Sequence, residues 1–66
     1  MNSFKKARLD AGMTMDEVVK TGVISKGYLS EIENDKHNNL SYVIVIKLSV
    51  IYGVSHFILT GSINFE

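Results

Sequence analysis

The sequence predicts an all-α fold, a compact domain of five short helices whose second and third form a helix-turn-helix. Three observations predict it. Five segments open on residues that can cap a helix N-terminus: Asn2 or Ser3, Thr14, Ser25, Ser41 and Ser55. Four of them close on a glycine, at Gly12, Gly22, Gly53 or Gly61, and the third closes on Asn34-Asp35, which tolerates a turn. Between cap and stop, apolar residues recur at helical spacing.

The first helix runs to about Ala11. Phe4, Ala7 and Ala11 fall at i, i+3 and i+7 and are expected to face inward, with Lys5 and Lys6 outward. The second, from Met13 to Thr21, begins with a capping box, Thr14 with Glu17 three residues on. Asp16 and Glu17 also suit the positive end of its dipole, which accounts for both carboxylates without a catalytic pocket. Val18 and Val19 are expected to bury. The third helix is the most informative. Ser25 caps it; Ile24, Tyr28, Leu29 and Ile32 make one apolar face, and Lys26, Gly27, Ser30 and Glu31 are left on the other. Two short helices joined by a tight turn form the motif whose second helix can lie in a DNA major groove.

Lys36 to Leu40 reads as a polar loop. The next segment, Tyr42 to Ile51, is rich in valine and isoleucine, which propensity alone would make a strand. Its length, serine cap and glycine stop make it a helix ending near Tyr52. Being apolar nearly all round, it is expected to be the buried central helix, with Val43 and Val50 the residues able to reach the surface. His56 to Thr60 forms the fifth helix, and Phe57, Ile58 and Leu59 are expected to pack on the core or on a partner. Residues 1–61 are assigned to the domain. The tail, Ser62 to Glu66, alternates apolar and polar residues and is expected to dock, with Ile63 and Phe65 at a dimer interface.

A chain of 66 residues allows one small domain. Such a chain buries only about 60% of its unfolded surface, so its core is marginal. There is no cysteine, hence no disulfide, thiolate metal site or cysteine nucleophile. Seven basic and seven acidic residues cancel. DNA-binding domains are more often basic, since phosphate neutralisation supplies most non-specific affinity, but distribution matters more than the sum. Lys5, Lys6 and Arg8 cluster early; Lys20, Lys26 and Lys36 flank the helix-turn-helix. Met1 to Asp10 does not read as a signal peptide, and the longest apolar run is far too short to span a membrane, so a cytoplasmic location is expected.

Residues 12–19 (Gly-Met-Thr-Met-Asp-Glu-Val-Val), residues 24–34 (Ile-Ser-Lys-Gly-Tyr-Leu-Ser-Glu-Ile-Glu-Asn) and Tyr52-Gly53-Val54-Ser55 resemble the lambda-repressor-like (Cro-like, XRE) helix-turn-helix family. The resemblance covers roughly residues 4 to 60, and the Tyr-Leu-Ser-x-Ile-Glu-Asn run is its most specific part. It implies a transcriptional regulator that binds double-stranded DNA as a homodimer on a palindromic operator. Base contacts are then expected from Lys26, Gly27, Tyr28, Ser30 and Glu31, and backbone contacts from Met15, Ser25, Asn34, Lys36 and Arg8. Arg8 and Glu33 match a structural ion pair of the family. Val54, His56 and Phe57, with the tail, match its dimerisation region. The sequence departs from the pattern at three places. Met15 stands where a phosphate-clamping glutamine is common, Asp35 stands where glycine is usual, and Gly22 lies one residue early.

Other signals carry less. His37 and His56 stand alone, so neither a metal nor another cofactor is expected. Gly22 to Gly27 has the spacing of a phosphate loop, but Tyr28 stands where lysine is required. Asn39-Leu40-Ser41 matches a glycosylation acceptor, which means nothing without a secretory signal. No ordered triad is evident, and an enzyme is not expected. The competing reading keeps the fold and turns its surface to another regulatory protein, as an anti-repressor or subunit would; zero net charge, Met15, Glu31 and Asp35 motivate it.

Overall fold

A computed structural model describes residues 2–36 and 40–60. Among these residues five helices follow one another: α1 (Ser3–Asp10), α2 (Met15–Lys20), α3 (Lys26–Glu33), α4 (Tyr42–Tyr52) and α5 (His56–Thr60). Among the described residues there is no strand.

The caps do what their chemistry allows. Thr14 Oγ1 accepts the Glu17 N–H at 3.1 Å, and Glu17 Oε1 accepts the Thr14 N–H at 2.9 Å, closing the capping box. Ser25 and Ser41 accept from the N–H groups of Tyr28 and Ile44 at the starts of α3 and α4. Asn2 caps α1 by accepting the Lys5 N–H at 3.0 Å, and its amide also donates to Ile32 O at 2.6 Å and Asp35 Oδ1 at 3.0 Å. One side chain thus fastens the start of α1 to the end of α3.

The ends of α1 to α4 are closed by left-handed residues. After α3 that residue is Asp35, at φ 57°, a conformation more costly for aspartate than for glycine. The chain turns there in a Schellman arrangement, with Lys36 N–H donating to Glu31 O and Asp35 N–H to Ile32 O. The Asn2 contact holds the aspartate in place.

The core is one cluster in which Phe4, Val18, Leu29, Val45, Leu48 and Leu59 are fully buried. Each such side chain is worth about 1.5–3 kcal/mol of transfer free energy. α1 packs on α3 and α5, α2 on α3, and α4 on α5.

Two expectations change. Ala11 is exposed, because the helix has ended and it serves as C-cap rather than continuing the inward stripe. α4 is buried on one face only, through Val45, Leu48, Ser49 and Tyr52, while Tyr42 is exposed and Val43 and Val50 reach the surface as expected. A five-helix domain of this size has too few neighbours to cover a helix all round. On α5, Leu59 alone is buried; Phe57 and Ile58 face out. Gly61 and the tail, with Ile63 and Phe65, lie outside the described residues, as does His37.

Candidate nucleic-acid interface

The turn between α2 and α3 is built from residues 21 to 25. Thr21 Oγ1 donates to Val18 O at 2.6 Å, and Gly22 takes a positive φ of 81° that lets the chain reverse. Val23 and Ile24 then plug into the core. The early glycine therefore leaves room for two apolar anchors that fix how α3 leaves the turn.

α3 divides into two faces. Leu29, Ile32 and Glu33 are buried, while Lys26, Gly27 and Glu31 are exposed and Ser30 half-exposed. Its eight residues make a rod about 12 Å long, and the major groove is about 12 Å wide. Gly27 is notable. A Cβ placed there would meet nothing within 4 Å, and its backbone is ordinary helix. Glycine is a poorer helix former than alanine, and neither packing nor backbone geometry among the described residues requires it in this first turn.

The inner face is held by Arg8. Its Nε donates to Glu33 Oε2 at 2.8 Å and its Nη2 to Glu33 Oε1 at 3.0 Å, a bidentate pair whose side chains are 8% and 4% exposed. Nη1 donates to Met13 O at 2.9 Å. The hydrogen bonds to Glu33 hold the guanidinium pKa above its ordinary value, against the opposing effect of burial. Three of its five N–H donors are thus spent inside the protein and the side chain is buried, so Arg8 is placed as an internal strut rather than at the surface where a backbone contact was expected. Tyr52 senses the same charges. Burial, then the negative charge of Glu33, pushes its phenol up to about 12, and its hydroxyl finds no hydrogen-bond partner among the described residues.

The outer face carries a second pair, Lys26 Nζ to Asp16 Oδ1 at 3.0 Å, with side chains 65% and 80% exposed. Sequence reading missed this partnership. Asp16 lies ten positions from Lys26, on another helix, and capping and dipole arguments already accounted for it.

The remaining candidates separate clearly. Ser25 is exposed; its oxygen accepts from Tyr28 N–H, and its hydroxyl hydrogen remains to donate. Lys36 is exposed and has no ion pair among the described residues. Asn34 turns its amide back to Ser30 O at 2.8 Å. Met15, expected along the DNA backbone, is half-buried and packs in part against the core. Tyr28, expected at the base edges, is half-buried as well. Its ring packs on the core and its hydroxyl accepts the Ser41 N–H at 3.1 Å, bracing α3 against the start of α4.

On α5, His56 lies between aromatic rings, edge-on to Tyr42 at 5.8 Å and tilted over Phe57 at 4.2 Å. Phe57 is 73% exposed. Val54 packs against the core and, with Ile58, lines a groove of about 270 Å³ between α1 and α5. Among the described residues, no helix is long and apolar enough to cross a membrane.

Comparison with known proteins gives one finding. Residues 2–56 match the family described as a helix-turn-helix domain. No curated protein and no solved structure matches the chain. The match covers most of the sequence and includes the capping box, the turn and both helices of the motif, so the chain belongs to the helix-turn-helix domain family, of the Cro-like, XRE-like kind.

Proposed function

We propose that this protein is a sequence-specific transcriptional regulator, a cytoplasmic Cro-like repressor that binds a palindromic operator as a homodimer with α3 in the major groove. The observation that carries the reading is Gly27. It sits at the start of the exposed face of α3, at a cost to the helix, where no contact within the protein calls for it. A bare backbone there suits close approach to base edges. Lys26 can donate to guanine O6/N7 or to a phosphate, Ser30 can serve either base type, and Glu31 can accept from cytosine N4. Ser25 and Lys36 supply phosphate contacts. One copy of α3 reads about half a turn of groove. Two copies, joined through Phe57, His56 and Val54 with the tail residues Ile63 and Phe65, would read half-sites about 34–36 Å apart.

Selection from a pool of random duplexes, at low and moderate salt, tests this. A palindrome should be enriched, with affinity falling as salt rises by a logarithmic slope of about 0.9 per phosphate neutralised. Failure to retain any duplex at low salt would contradict it.

A second reading draws on a specific observation. Lys6, Arg8 and Lys26 are already matched to Asp10, Glu33 and Asp16, which leaves a small cationic surface. If the surface serves another regulatory protein instead, the selection fails and affinity capture returns a protein partner.

A further inference from the structure

We infer that Asp16 is a built-in anionic competitor for Lys26, a specificity-independent brake that lowers both the affinity and the salt sensitivity of DNA binding. The inference rests on the DNA-binding reading and concerns the regulation of that surface.

The geometry is simple. Asp16 stands in the first turn of α2 and Lys26 in the first turn of α3, the two helix starts that flank the turn of the motif. Their charged atoms are 3.0 Å apart, the spacing at which a lysine would hold a phosphate oxygen. Both side chains are largely exposed, so the pair is weak enough to open. The α2 dipole favours a carboxylate at Asp16, but nothing in the fold requires that it reach Lys26. Thr14 and Glu17 close the capping box between them, and Arg8 with Glu33 fastens α3 from within. Asp16 is thus left holding the one lysine at the head of the reading face.

The consequence follows from charge. When Lys26 leaves Asp16 for a phosphate, one phosphate charge is neutralised but one carboxylate is uncovered beside the DNA. The net gain in neutralisation is near zero, so the step releases almost no counterion and adds little to the salt slope. The penalty falls on every duplex alike, because the carboxylate reads no base. Removing the charge of Asp16 should therefore strengthen cognate and random duplexes together and restore one counterion to the slope.

The experiment compares the full-length wild-type chain with Asp16→Asn, Lys26→Met, the double variant, and Asp10→Asn. The last removes a carboxylate from a similar exposed pair, Lys6 Nζ to Asp10 Oδ2 at 2.9 Å, and so controls for net charge alone. Binding to a selected duplex and to a random one is measured between 50 and 200 mM salt. Asp16→Asn should bind both duplexes about twofold to fivefold more tightly at the upper end of that range. Its logarithmic salt slope should be steeper by about 0.9. Asp10→Asn should change binding less than twofold, and Asp16→Asn should lose most of its effect in the Lys26→Met background. An unchanged affinity and slope, or an equal gain with and without Lys26, overturns the brake while leaving the DNA reading intact. Retention of no duplex by either wild type or Asp16→Asn overturns both. Circular dichroism of each variant confirms that the helices are retained.

Discussion

The two faces of α3 each carry an ion pair, and the pairs share chemistry but little else. Arg8 and Glu33 meet through two parallel hydrogen bonds inside the protein, at 2.8 and 3.0 Å. Lys26 and Asp16 meet through one contact of 3.0 Å in solvent. Water decides what each can do. In the interior, neither charge can be left alone, so the inner pair is a fixed strut between α1 and α3. At the surface, either partner can be solvated, so the outer pair can open and exchange for another anion. The same helix is therefore anchored by a bond that must not break and guarded by one that can.

The largest effect should come from breaking the inner pair. Glu33→Gln leaves Arg8 buried without a counter-charge and should destabilise the fold by about 3 kcal/mol in urea unfolding. A loss under 1 kcal/mol would mean that the two pairs are energetically alike and would erase the contrast. Gly27→Ala sharpens the difference between faces in another way. The added methyl meets open space, so it should stabilise the helix by about 0.5–1 kcal/mol. On the same account it should weaken duplex binding about tenfold, the scale of one lost base contact. Gains in both stability and binding would show that Gly27 is not a point of close approach.

Tyr52 reports on the inner environment. Its buried hydroxyl lacks a partner among the described residues, so Tyr52→Phe should raise stability by about 1 kcal/mol. Its phenol is pushed up to about 12 in the folded state from an ordinary 10.0, so the unfolded chain ionises first. The stability linked to this group is complete below pH 10 and is lost as pH rises toward about 12. The variant should flatten that alkaline fall, and an identical fall with phenylalanine would assign it to other groups. The smallest effect belongs to the outer pair: Asp16→Asn should alter folding stability by less than about 1 kcal/mol, whatever it does to binding.

Much of the fold was legible in local chemistry. Thr14 and Glu17 announce a capping box because both partners lie within one turn, and Gly12, Gly22 and Gly53 mark ends that a left-handed residue alone can close. The heavily β-branched α4 was legible through its serine cap and glycine stop despite its propensities. The site was less so, because its features depend on angles between helices. Asp16 reaches Lys26 across the turn, and Asn2 joins the two ends of α1 and α3 across thirty positions. Tyr28 sits at the boundary of its helix's two faces, where spacing alone does not say which way a ring turns; the Ser41 N–H decides it. Arg8 and Glu33 were reached through family resemblance, since nothing local marks a buried pair 25 residues apart.

The most direct test of the central claim is an amide chemical-shift titration of the labelled protein with a duplex recovered by selection. The account predicts that the resonances that move most are those of Ser25 to Glu31, together with Lys36, and that Val54 to Leu59 respond only through dimerisation. Bound duplex with the shifts confined to Val54 to Leu59, and α3 undisturbed, would contradict it.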